Sequence, residues 1–188
     1  MDYTSLSLAA VRHGLELVGR DVRERFQRLD SQQLNWRPAP TRWSVGQCLE
    51  HLLSANALML AGADAALGGA PRTLWQRLPV MPRVLGRLLI RSQAPEVKRK
   101  FTADPRASPS NSEVTADVVQ RFLQQQQDIV ARLDVLDERA AARVIMTSPF
   151  MRLITYSVLD GWRLVYAHEC RHVQQARRVT EEAGFPTR

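Results

Sequence analysis

Residues 167–179 read AHECRHVQQARRV, and the run His168-Glu169-Cys170-Arg171-His172 fits the H-E-x-x-H spelling of zinc peptidases. Two histidines four residues apart stand one helical turn apart on the same face. That is the spacing at which a helix offers two ring nitrogens to one metal ion. Gly161, Leu164, Val165, His168, His172, Ala176 and Val179 fall on one face at helical period. The pattern predicts a helix from about Ile154 to Glu182, stopped by Gly184 and Pro186. Histidines inside an apolar stripe are costly unless hydrogen-bonded or metallated. Surface or hydrogen-bonded structural histidines also occur at this spacing, so the pair alone leaves both readings open.

A peptidase needs a third protein ligand and a general base. At the metzincin positions stand Gln175 and Arg178, not glycine and histidine. Only 16 residues follow His172, and Glu181 and Glu182 belong to the tail of the same helix, so a later glutamate ligand is not offered. No strand is predicted that would hold an extended peptide. The peptidase reading fails on everything but the spelling.

Outward from that stretch, three further segments carry helical periodicity. Val11, Leu15, Val18, Val22, Phe26 and Leu29 make a stripe from about Ser5 to Leu29. Pro38 and Pro40 exclude a helix interior, after which Ser44 and Gln47 spell a capping box. The helix this opens runs through Leu60 and as far as Leu67, where GGAP at 68–71 stops it. A third stripe, Val118, Phe122, Ile129, Leu133 and Leu136, follows the cap-rich SPSNSEVTADVV. No segment alternates with period two. Four long amphipathic helices predict an all-α four-helix bundle with a long crossover connection between the second and third helices. The 188 residues suit a single domain, residues 1–188, carrying a basic insertion at about 70–110.

The composition, 45% hydrophobic and 24% charged, is that of an ordinary folded domain. The net charge of +7 belongs to the insertion: between Ala70 and Ser110 lie nine basic residues and two acids, and the rest of the chain balances. No apolar run approaches the ~20 residues of a membrane span. The N-terminal stretch lacks a basic region ahead of an apolar core, so a cytoplasmic protein is expected, with Cys48 and Cys170 as reduced thiols.

The expected partner of the helix-four pair is His51, which shares a helix face with Ser44, Cys48, Ala55 and Leu58. One ligand from one helix and a pair from another enclose a metal between facing helices. Three neutral imidazoles leave coordination positions open, as catalytic sites do. A buried structural histidine is the plainer role for His51 taken alone, as a core position is for Cys48. Gln47 and Gln175 are candidates to orient the imidazoles from behind, against plainer roles as helix cap and exposed face. Trp43, Trp162 and Tyr166 are either pocket walls or ordinary core.

The segment Trp43-Ser44-Val45-Gly46-Gln47-Cys48-Leu49-Glu50-His51-Leu52, together with the H-x-x-x-H pair at His168 and His172, resembles the DinB/YfiT-like superfamily of metalloenzymes. The resemblance covers nearly the whole chain. It implies a four-helix bundle with a long connection between helices two and three, and His51, His168 and His172 as metal ligands. Glu169 would then stand behind the ligands or face outward, since position 169 points away from the face shared by 168 and 172. The resemblance further implies a divalent zinc, nickel or iron ion, a metal-dependent transferase or hydrolase reaction, a low-molecular-weight thiol as cosubstrate, a small-molecule substrate, and a homodimer. The basic segment at 70–110 suits an anionic thiol or substrate, against the plainer role of a solvated insertion.

A second function class rests on residues 74–91, LWQRLPVMPRVLGRLLIR. Arg83, Arg87 and Arg91 line one side, with Val84, Leu85, Leu88 and Leu89 placed opposite. Such a helix suits a non-catalytic binding protein on an anionic partner or membrane surface. It equally suits packing onto the bundle or a second subunit. Nucleic acid is not expected: the basic stretch lacks interleaved aromatic residues, and no helix-turn-helix signature is found.

Overall fold

The computed structural model describes residues 1–71, 76, 81–96, 104–109 and 113–187. After a 3-10 turn at Tyr3–Ser5, helices α1 (Leu8–Phe26), α2 (Ser31–Asn35), α3 (Val45–Leu67), α4 (Met81–Gln93), α5 (Val118–Asp134) and α6 (Glu138–Arg143) follow. Two short strands, β1 (Ile145–Thr147) and β2 (Thr155–Ser157), precede the last helix, α7 (Val158–Thr180). The chain is therefore mostly helical, as its periodicities predict. Among the described residues no helix is long and apolar enough to cross a membrane.

Local chemistry places the helix ends. Ser44 Oγ accepts from Gln47 N and Gln47 Oε1 accepts from Ser44 N, both at 3.1 Å, closing the predicted capping box of α3. At its far end Gly69 adopts φ +82°, Gly69 N–H donates to Ala66 O and Ala70 N–H to Ala65 O. This is the Schellman arrangement that glycine permits. Ser7 caps α1 and Ser157 caps α7, each accepting from a backbone N–H three residues on.

The four long helices pack as α1 on α5 and α7, and α3 on α5 and α7. Val11, Leu15, Val22 and Phe26 of α1, Leu49 and Leu52 of α3, Phe122 and Ile129 of α5, and Val158 and Ala167 of α7 have essentially no solvent exposure. Each large one stabilises the fold by roughly 1.5–3 kcal/mol.

Several expectations are corrected. The stretch from Ile154 is not yet helix: residues 155–157 pair antiparallel with β1, Met146 opposite Tyr156, and both side chains enter the core. The basic segment does form a helix over Met81–Gln93, but residues 74–75 and 77–80 lie outside the described residues. Arg72, Arg77, Lys98, Arg99 and Lys100 lie outside them as well. Its inward face is Pro82, Leu85, Gly86, Leu89 and Ile90, packed on α7 and β2. At Gly86 a Cβ would stand 3.0 Å from Tyr156 Cβ and from Asp160 Oδ2, so any side chain there would push α4 off β2 and α7 by a few tenths of an ångström. Val84 and Leu88, expected opposite the arginines, are exposed beside them.

Candidate metal centre

His51 sits two turns into α3, and His168 and His172 sit in the second half of α7, so the α3–α7 packing brings the three together. One nitrogen from each ring lies within 4.8 Å of the others, and this group can hold a metal ion. The ring centroids are 5.0 Å apart for His51–His168 and 4.6 Å for each ring to His172.

The tautomer of His51 follows from its partner. Its Nδ1 lies 2.5 Å from the carbonyl oxygen of Ala107. A carbonyl only accepts, so Nδ1 carries the proton and Nε2 presents a lone pair. That lone pair faces His168 Nε2 at 3.1 Å. Metal–nitrogen bonds of about 2.0–2.1 Å put two ligand nitrogens roughly 2.9 Å apart at a right angle and 3.3 Å apart at the tetrahedral angle. The observed separation falls between these limits.

All three rings are held neutral, the state a ligand needs. Burial lowers the pKa of His51, opposed by the bond to Ala107. Burial, then the neighbouring His172 and His51, then Arg171, take His168 well below its ordinary value. His172 is brought down to about 3, by burial first and then by His51 and Arg171, with Gln175 acting the other way. His172 Nδ1 is buried without a hydrogen-bond partner, a costly state that coordination could relieve. The donor set is three imidazoles with no carboxylate, which suits zinc, nickel or iron in preference to magnesium or calcium. The residues fit the group, and three ligands leave open positions.

Around the triad, Trp43 stacks on His172 (centroids 5.6 Å, 25° between planes) and tilts against His51 at 5.0 Å. Gln47 is buried, with its carbonyl oxygen engaged in the α3 cap. Gln175 is half-buried one turn beyond His172, the ring on which it acts. Trp162 and Tyr166 belong to the core, Tyr166 edge-on to Tyr3 at 5.3 Å. Cys48 is fully buried, with its thiol pushed up to about 12; burial likewise raises Cys170 to about 11.

Glu169 does not face outward. It has no exposure, and its Oε1 accepts from Asn56 Nδ2 (2.8 Å) on α3 and Gln126 Nε2 (2.7 Å) on α5. Position 169 does point away from the histidine face, but what lies there is the junction of α3, α5 and α7. Burial raises its carboxyl to about 8 despite both amides. Its Oε2, with Asn56 Oδ1 and Gln126 Oε1, is buried without a partner. The amide side chains at positions 56 and 126 fall on core faces, a signal that could have located this cluster. The Ala107 carbonyl, a backbone group, leaves no trace in residue type.

No curated protein and no solved structure gives a significant match. The profile of the DinB superfamily, however, matches residues 15–176, a span that includes His51, His168 and His172, and the chain belongs to that superfamily.

Proposed function

We propose that the protein is a metal-dependent enzyme of the thiol-transferase or hydrolase type, with a divalent ion held by His51, His168 and His172. The observation that carries this reading is the convergence of three neutral imidazoles from two helices within 4.8 Å. When bound, such an ion lowers the pKa of a thiol or water at its open positions. The chain's own contribution is positioning. The Ala107 carbonyl fixes the His51 tautomer, Trp43 packs over two of the rings, and burial keeps them unprotonated. After burial and the neighbouring rings, the positive charge of Arg171 also acts on His168 and His172, which favours a small anionic substrate or thiol. In transfer, the thiol gives up its proton, the sulfur pair forms the bond to an electrophilic carbon, and the displaced group leaves with its electrons and takes up the proton. Both catalytic cysteine chemistry and an H-E-x-x-H peptidase are disfavoured by the raised thiols and by Glu169 being bound to amides of α3 and α5.

The same reading takes the four long helices as one four-helix bundle, with residues 68–117 as the crossover, supported by the pairwise packing of α1, α3, α5 and α7. The test is elemental analysis of untagged protein, with His51→Ala and His168→Ala alongside. Near-stoichiometric metal lost in both variants supports the reading and justifies a screen of thiols with electrophiles. Protein that stays metal-free after zinc, nickel and iron are offered rejects it.

A further inference from the structure

We propose that the outer face of α4 docks on an anionic lipid bilayer. The helix is anchored by its inner face, and what it turns outward is a row of arginines beside a row of apolar residues. Arg83, Arg87 and Arg91 are exposed, spaced one turn apart over about 12 Å. Val84 and Leu88, 48% and 57% exposed, lie next to them.

The arginines are not balanced by nearby acids. Among the described residues none of the three forms an ion pair, and the acids around α4 are engaged elsewhere. Asp160, beneath it, is paired with Arg163 at 2.8 Å, and Glu96 with the N-terminal amine at 3.7 Å. Asp2 feels Arg91 only weakly, behind its bonds to Thr4 and Ser5. In the sequence the basic character continues on both sides, through Arg72 and Arg77 before the helix and Lys98, Arg99 and Lys100 after it.

The apolar residues select the partner. The hairpin whose second strand packs on α4 carries exposed Met151 and Leu153 with exposed Arg152 between them. Among the described residues, half of the eight exposed large hydrophobic residues thus belong to these two adjoining elements. A nucleic acid would use the arginines and have no place for Val84 or Leu88. A bilayer interface uses both, with guanidinium groups at the lipid phosphates and the apolar side chains among the upper acyl carbons. Charge extended along the sequence without a pattern of acids suits a surface whose anions are mobile.

The experiment is co-sedimentation of the whole protein with vesicles of phosphatidylcholine containing phosphatidylglycerol, against phosphatidylcholine alone. Each basic side chain near an anionic leaflet is worth roughly fivefold in partitioning. The R83Q/R87Q/R91Q variant should therefore lose about a hundredfold, and Leu88→Ser severalfold with an unchanged salt dependence. All these positions are exposed, so circular dichroism and metal content should match the wild type. Wild-type protein that stays in the supernatant, or that binds both vesicle types equally, overturns the proposal. So does Leu88→Ser binding as tightly as wild type while duplex DNA strips both from the vesicles, which would mark a general polyanion site.

Discussion

Replacing Glu169 with glutamine should make the protein more stable at alkaline pH and leave it nearly unchanged in acid. Burial takes the carboxyl from 4.5 up to about 8 in the folded chain. The folded state then holds this proton more tightly than the unfolded state does. Stability from this group is fully present below about pH 4.5 and is lost as pH rises through about 8. At about 1.4 kcal/mol per pH unit the ceiling is roughly 5 kcal/mol, and the protein's effective dielectric response leaves a few kcal/mol of it. Glutamine keeps the shape and an oxygen for Asn56 and Gln126, and it adds N–H groups next to two unpartnered amide oxygens. The assay is urea unfolding followed by circular dichroism, with EDTA present, from about pH 5 to about pH 9. The histidines also titrate, with opposite sign: their lowered pKa values give stability that is lost as pH falls below the ordinary 6.5. That contribution is common to both proteins and cancels in their difference. The difference between variant and wild type should grow by about 2 kcal/mol or more from acid to alkaline pH. A flat difference would refute the buried, proton-holding state of Glu169.

Zinc at a hundredfold excess over its Kd should stabilise the wild type by about 2.7 kcal/mol in chemical unfolding. His51→Ala should abolish that gain, since losing a ligand costs more than the roughly 10–100-fold that losing an outer partner does. In the metal-free protein the His172 ring proton signals should not move between about pH 8 and about pH 5 in NMR spectra, because the ring is held neutral down to about 3; a midpoint near 6.5 would refute its burial. Gly14→Ala should destabilise by about 1–2 kcal/mol in thermal unfolding despite alanine's better helix propensity, since the new methyl would lie 2.3 Å from Tyr166 Cζ in a packed core.

The elements legible in the sequence are those that repeat. α1, α3, α5 and α7 each show three or more turns of apolar period, and Ser44 with Gln47 marked the start of α3. The strands went unseen because three residues cannot display an alternation, and α2 and α6 are each under two turns long. The convergence of the three histidines was readable because a shared ligand role would demand residue type and spacing at once, and both show in the sequence. Glu169 was misplaced for a definite reason. Helix periodicity tells which residues share a face but not what meets the opposite one, and there Asn56 of α3 and Gln126 of α5 reach Glu169. Val84 and Leu88 were misplaced because a short helix on the surface need bury only half of its apolar residues.

The acceptor for His51 is a main-chain oxygen supplied by the crossover, at a position of 1% exposure. Exposed side chains along that connection can therefore drift, provided residue 107 stays small and the buried positions such as Gly86 and Ile90 are kept, and the tautomer of His51 is untouched. Length is a different matter. Shortening the connection, or grafting one from a related protein, would withdraw the oxygen and free the ring to flip. For anyone re-engineering this protein, the connection between α3 and α5 should be treated as part of the three-histidine cluster, and its amide hydrogen exchange would serve as a report on whether the cluster is assembled.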